Sequence, residues 1–356
     1  MVSNMLNERI IRWLRHVSTD SATSTSQESA ILLSTDTGLT RKENQDRVAM
    51  MRVNASVNSS PFVVIALADG MGGMSDGSEC AVRSLAAFFN SIVRLRNYDP
   101  KEMLRLASLE ANMAVFEFSK GRGGATLSAI LISNGGVSTS LNIGDSRIYG
   151  RQKASLVQDV VRLTVDDNLE EAVGGTGKEL LQFSGMGAGL NPHVAIVPSD
   201  IDRIVITSDG VHFINKEVFN EIVLNTERIG DLSKSLLTYA RWRGSPDNAS
   251  LAIIDVKNAF STLKYEVSGI EFISPFSVLE LAWLRQGAPE ISMPASPLPI
   301  EIALQKNPAT DKKRMRKPKI QNSSKKKEID NNLEGQLSIK IDSTPINEDP
   351  IIENKK

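Results

Sequence analysis

Phe62-Val63-Val64-Ile65-Ala66-Leu67-Ala68 runs directly into Asp69-Gly70-Met71-Gly72-Gly73, and this stretch decides how the chain is read. Seven consecutive apolar residues make a strand, not a membrane span, which takes about 20. The run ends on a carboxylate. The arrangement recurs where Arg203-Ile204-Val205-Ile206-Thr207-Ser208 meets Asp209-Gly210. Asp247-Asn248 stands just before the apolar run from Leu251 to Ile254, and Asp46 closes Arg41-Lys42-Glu43-Asn44-Gln45-Asp46 just before Val48. Each aspartate lies at a strand end, where a rigid scaffold meets solvent. One Asp-Gly is ordinarily a turn; two strand-end Asp-Gly junctions together with Asp-Asn and Asn-Gln-Asp in one domain are not explained that way. Converging carboxylates repel one another unless a cation neutralises them. All-oxygen ligation selects hard ions such as Mg²⁺ or Mn²⁺. Glycine after Asp69 lets a backbone carbonyl approach an ion with no Cβ in the way.

Working outward, apolar runs predict strands at 30–35, 46–53, 61–68, 126–133, 137–143, 146–150, 203–207 and 250–256. Helical periodicity predicts helices at 77–95, 101–119, 217–225 and 231–242, with Leu85, Phe88, Phe89 and Ile92 on one face of the first. Asn134-Gly135 between two apolar runs signals a hairpin. Strands that pair antiparallel with helices gathered in blocks read as α+β, not as alternating βαβ units.

Four segments follow. Residues 1–29 read as a short N-terminal helix, in which Arg9, Arg12 and Arg15 are mixed with Ile10, Ile11, Trp13 and Leu14, and a Ser/Thr-rich linker from 18 onward. The helix lacks an uninterrupted apolar core, so it does not read as a secretory signal; it reads as a surface helix docked on the body, with attachment to a membrane surface as the alternative. Residues 30–257 read as the globular domain. Residues 258–304 read as a small accessory or linker segment. Residues 305–356 read as a disordered charged tail, basic over 311–327 and then acidic, too polar to offset chain entropy.

Composition excludes several classes. With 41 basic against 42 acidic residues, the surface as a whole does not suit nucleic acid. Cys80 is the lone cysteine, which rules out an internal disulfide and fits a reducing, cytoplasmic setting. His16, His193 and His212 leave little for a histidine-based metal site. Gly73-Met74-Ser75-Asp76-Gly77 matches the G-x-S-x-G elbow of serine hydrolases, but Ser75 sits well past the strand end and no histidine is placed to serve it.

The ordered set of motifs resembles the metal-dependent Ser/Thr protein phosphatases of type 2C (PPM-type), in particular the compact bacterial members. The matching pieces are Thr37-Gly38 with Arg41 to Asp46, Ala68 to Gly73, Gly124-Ala125-Thr126, Asn142 to Tyr149 around Gly144-Asp145-Ser146-Arg147, Leu163-Thr164 with Asp166, Thr207 to Gly210, and Asp247-Asn248. The resemblance implies a four-layer αββα sandwich of two central antiparallel sheets, with a binuclear Mn²⁺ or Mg²⁺ cleft at one end. It implies that Asp69 bridges both ions, that Asp209 and Asp247 complete the first, that the Gly70 carbonyl and Asp46 serve the second, and that Arg41 grips the substrate phosphate. The implied substrate is a phosphoprotein, phosphorylated by an opposing Ser/Thr kinase, and the implied reaction is attack by a metal-activated water. A binding or sensor protein that has lost activity on this fold is the alternative; the complete ligand set favours the enzyme. The same composition points away from nucleic acid and from membrane contact, and leaves residues 258–356 as a docking segment.

Three departures stand out. Asp167 occupies the place after Leu-Thr-x-Asp where family members usually carry histidine, so the general acid is unassigned. The region between Asp167 and Asp202, where the family places a mobile flap, is short and rich in glycine (Gly174, Gly175, Gly177, Gly185, Gly187, Gly189). Phe213 occupies the position four beyond Asp209 where an acid would help hold a third ion beside Asp145, which argues against a well-held third ion.

Overall fold

The computed structural model describes residues 2–26, 30–54, 60–71, 76–133, 136–153, 158–177, 179–261 and 269–282. In chain order these form α1 (Val2–Leu14), β1 (Ser21–Thr25), β2 (Ile31–Asp36), β3 (Arg47–Val53), β4 (Phe62–Ala68), α2 (Gly77–Arg94), α3 (Pro100–Ser119), β5 (Leu127–Ser133), β6 (Ser138–Ile143), β7 (Arg147–Lys153), β8 (Gln158–Arg162), α4 (Leu169–Val173), β9 (His193–Ile196), β10 (Ile201–Thr207), α5 (Asp209–His212), α6 (Lys216–Asn225), α7 (Ile229–Trp242), β11 (Ala249–Asp255), α8 (Val256–Ser261), β12 (Gly269–Ile273) and β13 (Val278–Ala282).

Two antiparallel sheets organise them. One has the order β1-β2-β11-β10-β7-β8, the other β13-β12-β3-β4-β5-β6-β9. The period-two alternation of strand side chains divides each sheet between two cores. In β3 and β4, Val48, Met50, Val63, Ile65 and Leu67 meet Ile31, Leu33, Ile204, Ile206, Ala252 and Ile254 of the facing sheet. The alternate residues Ala49, Met51, Val64, Ala66 and Ala68 pack under α2 and α3. Val205, Leu251 and Ile253 pack under α6 and α7 through Phe219, Leu232 and Leu236. The layers are therefore helix, sheet, sheet, helix. Burial on both faces explains why β4 is apolar at every position.

Local chemistry sets the helix starts. Asp99 accepts from the Lys101 amide and Pro100 occupies the first turn of α3, a position where its missing N–H costs nothing. Asn215 caps α6 by accepting from the Glu217 and Val218 amides.

Register carries the chemistry to one end. Arg47 pairs with Ala68, Leu127 with Ile143, Arg147 with Thr207, and Ala249 with Asp36. Asp46, Asp69, Asp145, Asp209 and Asp247 all lie just beyond those pairs, on the same edge of the sandwich.

The expected linker at 18–29 contains a strand, and the expected accessory segment past Lys257 contains a hairpin. The segment 18–29 contains β1, which pairs with β2 from Ser21↔Asp36 to Thr25↔Leu32. Its residues are Ser, Ala and Thr, so this edge strand has no hydrophobic signature. Past Lys257, β12 pairs with β3 and β13 with β12, so the described part of the accessory segment extends the second sheet and buries Phe272. The short strands β8 and β9 were also not expected, nor were α4, α5 and α8. The Asn134-Gly135 turn, Ser75 and the charged tail from 305 lie outside the described residues, although β5 and β6 on either side of that turn do pair antiparallel.

Ile65, fully enclosed between the sheets, and Ile196, 56% exposed on β9, provide a paired check of this layering. Ile65→Ala is expected to cost about 2–5 kcal/mol and Ile196→Ala to stay within about 0.5 kcal/mol. Denaturant unfolding of both variants would measure this, and equal costs would contradict the layering.

Candidate active site

The loop from Thr37 to Asp46 carries two of the expected functional residues and is fastened mainly by Asn248. The Asn248 side chain accepts from the Gln45 amide at 2.9 Å and donates to the carbonyls of Thr37 at 2.9 Å and Glu43 at 3.0 Å. Its own amide donates to Asp247 Oδ1 at 2.9 Å. Asn44 donates to Thr35 Oγ1 and accepts from the Asp46 amide. The loop thus hangs from the first sheet while Asp46 enters the second.

Asp69 is held from the opposite side. Its amide donates to Thr126 Oγ1 at 2.9 Å, its carbonyl accepts from the Thr126 amide at 2.9 Å, and Thr126 Oγ1 lies 2.8 Å from Ser146 Oγ. Gly-Ala-Thr and Gly-Asp-Ser therefore brace Asp69. Two glycines are required here by close approach. A Cβ on Gly70 would lie 2.3 Å from the Gly77 carbonyl oxygen, and one on Gly210 would lie 2.0 Å from the Asn248 carbonyl oxygen.

The carboxylates share one electrostatic environment. Burial pushes the Asp69 carboxyl well above its ordinary range, and the charges of Asp46, Asp209, Asp145 and Asp247 push it further. Burial also raises Asp46, to about 6, while hydroxyls of Ser250 and Ser208 favour its charged form; Ser208 Oγ donates to Asp46 Oδ2 at 2.8 Å. Asp209 is raised to about 7 by burial and by Asp247, Asp145 and Asp46. Its Oδ1 is buried with no hydrogen-bond partner, a costly condition for a carboxylate oxygen.

The structure brings together Asp46, Asp69, Asp209 and Asp247 with Gly70 in one cleft. It pairs Arg41 with Asp247, Nη2 donating to Oδ2 at 2.6 Å. Among the described residues, no three His, Cys, Asp or Glu side chains form a ready-made cage for an ion. Asp247 leans on Arg41 and Asp46 on Ser208. The donor set nonetheless fits a hard divalent cation. It is all oxygen, mutually repulsive, and includes an orphaned buried carboxylate oxygen.

Several residues of the site were not legible in advance. Asp167, standing where a histidine was anticipated, accepts from the Gly144 amide at 2.9 Å and from Gln182 Nε2 at 2.8 Å. His193 Nε2 reaches the same carboxylate at 2.8 Å from β9. A histidine therefore occupies this region after all, supplied from a distant strand. His212 does not enter the cleft: its Nδ1 lies 2.9 Å from Thr207 Oγ1, and burial followed by Arg147 and Arg162 depresses its pKa well below the ordinary value. Phe213 is exposed, and its amide donates to the Asp209 carbonyl. In the glycine-rich segment, Asn112 of α3 accepts from the amides of Gly185 and Gly187 and donates to the Gly187 carbonyl. The part around Gly174 and Gly175 has open space beside it. Ser208, Thr126 and Ser146 lay within recognised motifs, but their bracing roles needed the three-dimensional register.

Known proteins agree with this geometry. Protein phosphatase PhpP of Streptococcus pneumoniae is 28% identical over 244 residues, covering 64% of this chain and 97% of its own length. The fold is shared with the catalytic domain of serine threonine protein phosphatase PstP in complex with two manganese ions (24% identity, TM-score 0.51, covering 66% of this chain and 98% of that one). It is shared equally with serine/threonine phosphatase Stp1 from Staphylococcus aureus (18% identity, TM-score 0.53, covering 67% and 98%). The sequence profile of protein phosphatase 2C matches residues 40–238, more than half of the chain and every strand-end aspartate up to Asp209, and the chain belongs to that family.

Proposed function

We propose that the cleft hydrolyses phosphoserine and phosphothreonine in protein substrates with two hard divalent cations, Mn²⁺ or Mg²⁺. The observation that carries this reading is the buried, unpartnered Asp209 Oδ1 beside further carboxylates whose charges, after burial, raise the pKa of Asp209 and Asp69. Asp69, Asp209 and Asp247 would hold one ion; Asp69, the Gly70 carbonyl and Asp46 would hold the other. When bound, such a pair supplies an activated water and positive charge around the phosphoryl group.

The chain's own residues do the rest. Arg41 sits at the exposed rim and can exchange Asp247 for a phosphate, a dianion suited to its planar fork. Gly70 and Gly210 allow two loops to approach without side chains between them. No cysteine serves as nucleophile: Cys80 is buried, and its thiol is pushed up to about 11, chiefly by burial. An opposing Ser/Thr kinase and a cytoplasmic setting follow from the reaction class and the lone buried cysteine. No described helix is long and apolar enough to cross a membrane. A third ion beside Asp145 would lack the acid that Phe213 replaces.

Hydrolysis of a phosphopeptide is expected to require Mn²⁺ or Mg²⁺ and to stop in excess EDTA, and Asp209→Asn is expected to lose most activity while staying folded. Turnover in EDTA, or a fully active Asp209→Asn, would overturn the assignment.

The same residues set a pH dependence. Carboxyls raised from about 4 to about 6 and 7 bind more protons folded than unfolded, so their contribution to stability is present below about pH 4 and is lost as pH rises through 7. The melting temperature of the EDTA-treated protein is expected to fall between about pH 5 and 7.5. Stabilisation by Mn²⁺ is expected to grow over the same interval, since ligands must shed protons to bind. Asp209→Asn removes one repelling charge and should flatten the decline. Thermal scans across this range, with and without Mn²⁺, test all three statements.

Asp145→Ala is expected to cost far less activity than Asp69→Asn, because the third position has few charged ligands. Mn²⁺ anomalous scattering with a strong third peak beside Asp145 at low Mn²⁺ would contradict this.

A further inference from the structure

We propose that α1 is part of the active-site scaffold and that Arg47 is the positioning residue joining it to the Asp46 loop. The inference rests on the reading of Asp46 as a carboxylate of the metal cleft.

Arg47 directly follows Asp46 and opens β3. Only 8% exposed, its guanidinium donates in three directions. Nε donates to the Leu14 carbonyl at 3.0 Å, Nη1 to the carbonyls of Asn44 at 2.8 Å and Asp46 at 2.7 Å, and Nη2 to Ser78 Oγ at 2.9 Å. Leu14 is the last residue of α1. Carbonyls at a helix C-terminus lack intrahelical partners and carry partial negative charge, so a cation there is stabilising. The same fork fixes the Asn44–Gln45 and Asp46–Arg47 peptide groups, the second being the one that follows Asp46, and so the direction from which Asp46 meets Ser208 and the cleft. One side chain thus ties the end of α1, the loop bearing Arg41 and Asp46, and the first turn of α2.

The helix is well placed to hold its end of this tie. Ile10, Ile11 and Leu14 are buried in the core shared with α2. Arg15 makes a two-pronged pair with Glu79 of α2, Nε to Oε2 at 2.8 Å. Trp13 packs against Phe272 of β12 with ring centroids 5.9 Å apart. Both α1 and β12 lie outside the residues that match the family profile. The two segments touch one another through Trp13 and Phe272. Burying a guanidinium costs several kcal/mol in lost hydration, and four hydrogen bonds to fixed acceptors offset it only while α1 is seated. Burial pulls the Arg47 pKa down, opposed by Asp46, Glu43 and Glu79.

The test is calorimetric titration of Mn²⁺ into the full chain, stripped of metal with EDTA and dialysed. Arg47→Met keeps the volume but removes every donor, and is expected to weaken Mn²⁺ affinity about 10- to 100-fold, as loss of a group that orients a ligand does. Arg47→Lys should recover part of it. Ile11→Asp, which unseats α1 while leaving Arg47 intact, should reproduce the loss. Arg151→Met is the control. It removes a guanidinium of similar burial, 7% exposed, that binds Asp202 toward the opposite end of β7, and should lower the melting temperature without changing Mn²⁺ affinity. A natively folded Arg47→Met with wild-type affinity overturns the proposal, as does an equal loss in Arg151→Met, which would trace the effect to general loosening. Should Arg47→Met not fold, Arg47→Lys and Ile11→Asp decide by the same criterion. Asp209→Asn in parallel separates the two readings. Wild-type protein that binds no Mn²⁺ overturns the metal cleft and this proposal together, whereas normal wild-type binding with unaffected Arg47 and Ile11 variants overturns this proposal alone.

Discussion

Like charges gathered at one end of two sheets are the constraint on which the rest depends. Asp46, Asp69, Asp145, Asp209 and Asp247 come from five different strand ends, and each raises the electrostatic cost of the others. Left to local preference, such loops would splay toward water. They stay together because the peptide groups around them are bonded to the sheets, while Asp209 Oδ1 is left buried without a hydrogen bond. That division, rigid backbone and unsettled charge, prepares a site for hard cations, whose binding relieves the repulsion.

The bonds that impose it run between sheets. Asn248 grips the Thr37–Gln45 loop, and Ser208 joins Ser250 of β11 to Asp46 at the head of β3. Thr35 continues the chain through Asn44 and Ser250. These hydroxyls and amides are buried, so each lost partner would leave an unsatisfied group in a low-dielectric setting.

The fold was legible wherever burial dictated sequence. β4 is enclosed on both faces and reads as seven apolar residues; α2 reads from the spacing of Leu85, Phe88, Phe89 and Ile92. The clustered aspartates were legible because carboxylates recur at strand ends, twice as Asp-Gly. What escaped notice has a common physical cause. β1 is a polar edge strand, and β9 is short and mostly exposed, so neither needs an apolar pattern. The β12–β13 hairpin lies past a change of texture at Lys257 and earns its place only through long-range pairing with β3. The Asp167–His193 contact joins residues 26 apart whose proximity follows from β6–β9 pairing, which no local motif encodes.

That contact also marks a departure from the pattern anticipated at position 167. A histidine after Leu-Thr-x-Asp would stand on the loop itself. Here the loop supplies Asp167, whose carboxylate holds the Gly144 amide and, through it, the turn bearing Asp145. The imidazole comes instead from β9, 46% exposed at its side chain. The carboxylate is thereby spent on backbone and on Gln182, while the ring keeps one nitrogen free of Asp167. Placing the acid inside and the imidazole outside follows from their hydration: a buried carboxylate needs several donors, and Gly144 and Gln182 supply them, whereas an imidazole tolerates the rim. Asp167 therefore holds the turn beside Asp145, and His193 of β9 meets the same carboxylate from the rim.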